Sequence, residues 1–464
     1  MELSRLYRSA GLRVGLLVLF SLVLMGQGCP SPTPEPTPTP TPTPGQFVGA
    51  AVTAQETQGC QRCHSNHYNN WVATRHAGAF QTLVAAGQDQ NPACIGCHTV
   101  GFGQPGGFVD AATTPQFEGV QCENCHGPAR DHVNNVDDPT KRPPTNIAAS
   151  VCGQCHNGAH HPTFDEWSSS GHATVTQEVA QELADGTVAN VCGLCHSGDV
   201  RKLAYIENVT PIPADLLKGV PTNQMNGVTC VICHDPHRKT GNSAPTNTSG
   251  EDYQLRYPEV RSPVASNSIA VVTDASRYNI CGQCHRSRGR VWTSTTRGPH
   301  HSIQANVYIG EMPVPDRTEP LVPNTNTVHR FVPEQCATCH MQTKEFESNE
   351  SPADSGHKFA VNLAGCVTVG CHPSQEGVAT DKTTLQTFVQ NSLNDIAARL
   401  GDPSTWQYSA EGGPADQSSI PDAIKQVRFE YEYVLYDGSL GVHNPEYVKR
   451  LLLDMDLRLK SVGR

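Results

Sequence analysis

Apolar side chains are scarce for a chain this long. Of 464 residues only 37% are hydrophobic and 6% aromatic, thin material for the interiors of the two or three domains that this length would ordinarily build. Forty glycines and 35 prolines exclude long regular elements over most of the chain. There is no basic run, and the formal net charge is -11, which argues against nucleic acid as a partner. Something other than side chains must supply much of the core.

The N-terminus reads as a targeting segment. Arg5, Arg8 and Arg13 precede an apolar run at 14–25, short for a bilayer span and suited to a secretory signal. The run ends in Gly26-Gln27-Gly28-Cys29. This resembles a bacterial lipoprotein cleavage site, except that Gly26 stands where such sites usually carry Leu, Val or Ile. Cys29 is thus a lipidation candidate, with plain cleavage or a retained anchor as alternatives; each gives an exported, periplasmic or cell-surface protein, membrane-associated where the anchor persists. Residues 30–44, PSPTPEPTPTPTPTP, favour extended polyproline II, a spacer of roughly 45 Å at ~3.1 Å per residue.

What is abundant is cysteine (19) and histidine (21). Sixteen cysteines fall in eight C-x-x-C-H motifs, numbered here as sites 1 to 8. Sites 1 to 4 are Cys60-Cys63-His64, Cys94-Cys97-His98, Cys122-Cys125-His126 and Cys152-Cys155-His156. Sites 5 to 8 are Cys192-Cys195-His196, Cys230-Cys233-His234, Cys281-Cys284-His285 and Cys336-Cys339-His340. C-x-x-C-H is the attachment signature of c-type haem. The two thiols add to the porphyrin vinyls, and the next residue places its imidazole under the iron as the proximal ligand. Disulfide frameworks and zinc sites do not require His after every second cysteine. Cys366-Val-Thr-Val-Gly-Cys371-His372 reads as a C-x4-C-H variant, site 9, whose longer loop must bulge to keep both sulfurs at the vinyls. A Cys366–Cys371 disulfide is the alternative. The expectation is nine haem c groups.

Nine histidines are then proximal. Twelve remain as candidate distal ligands: His67, His76, His132, His160, His161, His172, His237, His300, His301, His329, His357 and His443. Adjacent pairs such as His160-His161 and His300-His301 would supply one ligand each. Supply then matches demand, so every iron can be bis-histidine. After signal removal only Met225, Met312, Met341 and Met455 remain, which disfavours methionine ligation.

Local patterns recur. Trp71 to Ala77 and Trp167 to Ala173 share W-x4-H-A, and Gly119 to Pro128 and Gly227 to Pro236 share G-V-x-C-x-x-C-H-x-P. These point to a three-haem module used three times, with site 9 as the third haem of the last copy. The expected organisation is a signal peptide at 1–28, a linker at 29–46, modules at 47–150, 151–280 and 281–375, and a helical region at 376–464. In the last region apolar periodicity predicts helices at 383–400, 420–436 and 445–462, the first presenting Leu385, Phe388, Val389, Leu393, Ile396 and Leu400 on one face. The fold class is mainly α, with extensive irregular coil wrapped around covalent haems.

CQRCHSNHYNNWVATRHAGAF at 60–80 and CENCHGPARDH at 122–132 resemble the tetrahaem cytochrome c-554 group of the multihaem cytochrome c superfamily. DGSLGVHNPEY at 437–447 and its flanking helices resemble the C-terminal part of the larger hydroxylamine oxidoreductases and octahaem reductases. The resemblance implies closely packed haems that form the core and pass electrons between redox partner proteins or extracellular acceptors. It also admits an oxidoreductase acting on nitrite, hydroxylamine or tetrathionate, or an oligomer in the form of an extracellular cytochrome filament. The pentahaem nitrite reductase marker C-x-x-C-K is missing. Tyr431, Tyr433, Tyr436 and Tyr447 lie in the segment that in hydroxylamine oxidoreductases carries a tyrosine cross-linked to haem. No catalytic residue is assigned.

Overall fold

The computed structural model describes residues 46–54, 56–241, 252–256, 280–286, 291–310, 328–332, 335–368 and 370–464. The signal segment, Cys29 and the Pro/Thr-rich spacer lie outside the described residues. No described helix is long and apolar enough to cross a membrane.

The described residues between 46 and 374 run through short helices and turns. Among the described residues the only β pairing is isolated bridges such as Thr99–Glu118 and His234–Leu255. The cause is local. Glycines at positive φ reverse the chain at Gly101, Gly119, Gly127, Gly158 and Gly186, and among the described residues no helix there exceeds eight residues. Two small apolar clusters form there, one around Phe47, Phe80, Val100 and Phe117 and one around Val179, Leu183, Val200 and Met225.

The C-terminal region is built differently. Its three helices are α1 (Gln375–Leu400), α2 (Asp422–Asp437) and α3 (Pro445–Ser461). Helix α1 starts eight residues before the apolar periodicity does, because Ser374 caps it: the Ser374 Oγ accepts from the Gly377 N–H at 3.1 Å. Helix α2 starts after Pro421, which sits at its cap. Asn444 caps α3, accepting from the Tyr447 N–H at 3.2 Å, while Pro445 occupies the first turn. Val389, Leu393, Ile396 and Leu400 are buried against α2 and α3 as the periodicity requires. Phe388 is the exception, half exposed on the outer side of α1.

Ile303 and Val307, in the haem-bearing part between sites 7 and 8, join the same cluster. Asn444 Nδ2, fully buried, donates to the Val307 carbonyl at 3.2 Å. The fully buried Arg428 of α2 donates to the Trp406 carbonyl at 2.7 Å and to the Ser294 carbonyl at 3.2 Å. The helical region is therefore continuous with residues 294–307. Tyr433 and Tyr447 are fully buried in this cluster, and Tyr431 and Tyr436 pack against it, so all four are packing residues here. Met225 and Met455 are also buried among apolar side chains.

Candidate metal centres built from paired histidines

Each attachment motif is a single turn of helix. The His64 N–H donates to the Cys60 carbonyl at 2.9 Å, His156 to Cys152 at 3.0 Å, and His285 to Cys281 at 3.0 Å. A turn of this kind sets residues i, i+3 and i+4 on one face, so two thiols and an imidazole point the same way. At site 9 the helix Ala364–Thr368 carries Cys366, and the chain then reverses at Gly370, φ +73. The Gly370 N–H donates back to the Val367 carbonyl at 2.9 Å. This reversal brings Cys371 round in spite of the longer loop. None of the eighteen cysteines of the nine motifs is joined in a disulfide, Cys366 and Cys371 included.

The histidines meet in pairs. With metal–nitrogen bonds of about 2 Å and about 1.15 Å from nitrogen to ring centre, from ring bonds of ~1.33 Å, two imidazoles on opposite sides of one iron have centroids about 6.3 Å apart. The separations are 6.1 Å for His156 and His76, 6.1 Å for His285 and His172, and 6.1 Å for His126 and His237. They are 6.2 Å for His234 and His357, 5.9 Å for His196 and His301, 6.3 Å for His340 and His443, and 6.5 Å for His372 and His329. His64 has two neighbours at 6.4 Å, His67 and His132. His98 has no second imidazole at this spacing among the described residues; its electrostatic neighbour is His161, whose ring lies 6.4 Å from His156.

Of the adjacent histidines, His160 stacks on Phe346 with centroids 3.5 Å apart, and His300 meets the Ser302 hydroxyl at 2.7 Å. His161 and His301 are therefore the members placed toward the proximal histidines.

Orientation follows from the second nitrogen. His98 Nδ1 donates to the Ala79 carbonyl, His126 to Pro144 and His234 to Tyr253, each at 2.7 Å. His340 donates to Phe359, His357 to Ser355 and His329 to Val442, each at 2.9 Å. A carbonyl only accepts, so Nδ1 carries the proton and Nε2 is left as a lone-pair donor. His443 Nδ1 meets the buried Asp437 carboxylate at 2.6 Å. Burial opposes the charged form of His443, and Asp437 outweighs it, so its affinity for protons is raised. At His156 burial, with His76 close by, lowers the pKa to about 4; at His172 burial and His285 do the same. Neutral imidazole is the ligating form.

Thiols of different motifs are also brought together. Side-chain hydrogen bonds join Cys60 to Cys122, Cys152 to Cys230 and Cys281 to Cys336, the first cysteine of each motif. Further contacts join Cys97 to Cys155, Cys195 to Cys284 and Cys339 to Cys366. Free thiols abutting in this way, with imidazoles paired at the span of one metal ion, fit covalent haem at these motifs. The bound group would supply a reversible one-electron couple; the chain supplies attachment, ligation and spacing.

The W-x4-H-A and G-V patterns turn out to be one structure. The Trp71 indole N–H donates to the Val120 carbonyl at 3.0 Å, and Trp167 donates to Val228 at 2.9 Å. The Val120 N–H returns to the His76 carbonyl, and Val228 to His172. Glycine precedes each valine because a Cβ there would sit 2.5 Å from the Ala77 oxygen, or 2.4 Å from the His172 oxygen. Glu166 is a residue the motifs did not reveal. Buried, it accepts from the Ser355 N–H at 3.2 Å and the His357 N–H at 2.9 Å, clamping the segment that carries His357.

Residues 59–127 match the family model described as cytochrome c554 and c-prime. Over 102 residues the chain is 33% identical to cytochrome c-554 of Nitrosomonas europaea, which covers 19% of this chain and 43% of that protein. Over 236 residues it is 27% identical to the multiheme cytochrome MtrA of Shewanella baltica, 42% of this chain and 66% of that one. The matched region thus spans less than two thirds of either relative. The structure is similar to the crystal structure of outer cell wall cytochrome OcwA, with a TM-score of 0.52 over 79% of this chain and 75% of that one, at 20% identity; at that identity the likeness concerns the fold alone.

Proposed function

We propose that the chain is a multihaem c-type cytochrome that carries nine haem c groups and conducts electrons between redox partners outside the cytoplasm. The observation that carries this reading is the pairing of imidazoles: eight of the nine proximal histidines face a second one at 5.9–6.5 Å. Six-coordinate iron can change oxidation state without exchanging ligands, which suits relay rather than substrate chemistry. Bis-histidine ligation also keeps potentials low relative to His/Met.

The thiol contacts support an unbroken order through sites 1, 3, 4, 6, 7, 8 and 9. Sites 3 and 4 lie near enough for the Cys125 and Cys152 thiols to feel each other electrostatically, as do Cys233 and Cys281 of sites 6 and 7. Sites 2 and 5 abut sites 4 and 7 through Cys97–Cys155 and Cys195–Cys284. The N-terminal signal-like segment and the proline-rich spacer support export, with Cys29 as the lipid-anchor candidate. Partners are then a donor and an acceptor of electrons; the charge of -11 favours basic patches on them.

Electron paramagnetic resonance of the oxidised holoprotein is the test. Low-spin ferric iron at eight or nine sites is expected. Predominantly high-spin iron would sink the conduit. A second reading, a reductase or oxidase, rests on His98 alone; one high-spin iron per molecule together with turnover of nitrite or hydroxylamine would favour it.

A further inference from the structure

The pairs follow a rule that the sequence patterns do not state. Take the repeat to begin with sites 1, 4 and 7. Site 4 of the second repeat pairs His156 with His76 of the first, and site 7 of the third pairs His285 with His172 of the second. Both donors come from W-x4-H-A. In the other direction, site 3 of the first repeat pairs His126 with His237, which follows the site 6 motif of the second. Site 6 of the second pairs His234 with His357, which follows the site 8 motif. Site 5 pairs His196 with His301, which follows the site 7 motif. Every one of these pairs joins two successive repeats.

Three observations put site 8, and not site 9, in the third position of the last repeat. Cys336 contacts Cys281 just as Cys122 contacts Cys60 and Cys230 contacts Cys152, first cysteine to first cysteine within one repeat. The histidine downstream of site 8 serves the third position of the preceding repeat, as the histidine downstream of site 6 does. No attachment motif lies between His301 and Cys336, so the last repeat has lost its middle haem. Its sequence lacks the Gly-Val pair before Cys336, and the buried Trp292 indole N–H has no hydrogen-bond partner among the described residues.

By this rule the third position of the last repeat would take its donor from a fourth repeat. No attachment motif lies between His372 and Arg464, and the pair of His340 is His443, which sits in the loop between α2 and α3 and is held by Asp437 at the end of α2. We propose that the chain is an interlaced array in which successive repeats supply each other's axial histidines. The C-terminal helical region ends the array by giving site 8, through His443, the ligand a fourth repeat would have given. Site 9, paired with His329, stands outside the repeat. The first repeat shows the complementary end. His67 and His132 occupy the positions that serve a preceding repeat, residues 1–59 carry no attachment motif, and both rings lie 6.4 Å from His64.

This inference rests on the haem-conduit reading and is tested by spin counting in a double background. His172→Ala in the full holoprotein is expected to convert one low-spin iron of nine to high spin. In a Cys281→Ala/Cys284→Ala protein, which cannot attach the site 7 haem, adding His172→Ala is expected to create no further high-spin iron. A further high-spin iron there would overturn the pairing across repeats. If that background does not accumulate, a cryo-electron microscopy map of the wild-type holoprotein decides. One haem between His172 and His285 and one between His340 and His443 are expected; a haem bridging either proximal histidine to a ligand from its own repeat overturns the proposal. A haem-free or wholly high-spin protein would instead refute the conduit reading itself, so the two failures are distinct.

Discussion

Residues 375–464 and residues 56–241 bury their interiors with different materials. In the first, α1, α2 and α3 gather Val389, Leu393, Ile396, Val427, Phe429, Tyr433, Val448, Leu451 and Met455 into one cluster. In the second, more than twice as long, the apolar side chains form only two small groups, while cysteines and histidines from distant motifs converge between them. The first segment can hold itself together by the ordinary removal of apolar surface from water. The second cannot, and its helices are too short to be stable alone. The difference teaches that covalent cofactor and hydrophobic core are interchangeable as scaffolds. What differs is the arrangement of the apolar residues, gathered into one cluster in the first segment and split into small groups in the second.

The sharpest way to break that comparison is to withhold haem. Protein made without cytochrome c maturation is expected to lose residues 56–241 to limited proteolysis while helix α1–α3 peptides persist; equal protection of both would contradict it. Next comes the helical core. Leu393→Ala should cost about 2–5 kcal/mol in the unfolding of the C-terminal region and leave the Soret spectrum unchanged, because Leu393 is buried in the apolar cluster of the helical region.

In the haem-bearing part Gly227→Ala should be costly for a backbone reason. The added Cβ meets the His172 oxygen at 2.4 Å, and ~1–3 kcal/mol of strain should appear together with a high-spin fraction at the iron His172 serves. A pH series sharpens the contrast from the other side. Burial, with Glu411 beside it, raises Glu432 of α2 to about 8. A raised carboxyl favours the protonated folded state, so its stabilisation is complete below about pH 4.5 and is lost as pH rises through about 8. A slope of up to ~1.4 kcal/mol per pH unit is expected in that window, and Glu432→Gln should flatten it. The smallest effect is Trp71→Phe, which removes the bond to the Val120 carbonyl and should cost ~1 kcal/mol without releasing haem.

Attachment motifs were legible in the sequence because a porphyrin fixes their spacing. The α-rich, coil-rich fold was legible from glycine and proline, and the helices of the C-terminal region from periodicity. The cap at Ser374 lengthened α1 across a polar stretch, Gln375 to Lys382, that carries no apolar signal. Phe388 showed that one position of a periodic stripe can still face out. Which histidine meets which could not be read, because His76 and His156, or His340 and His443, are joined by tertiary folding and not by spacing. The same holds for Glu166, an unremarkable acid until its buried bonds to Ser355 and His357 are seen. The shared W-x4-H-A and G-V patterns pointed to repetition, but only their contact through Trp71–Val120 and Trp167–Val228 explains why they travel together.

One measurement bears most directly on all of this: the intact mass of the purified mature protein. Nine covalent porphyrin adducts above the polypeptide mass are expected. A mass equal to that of the amino acids alone would contradict the central claim that thioether-bound haem is what these cysteines and histidines hold.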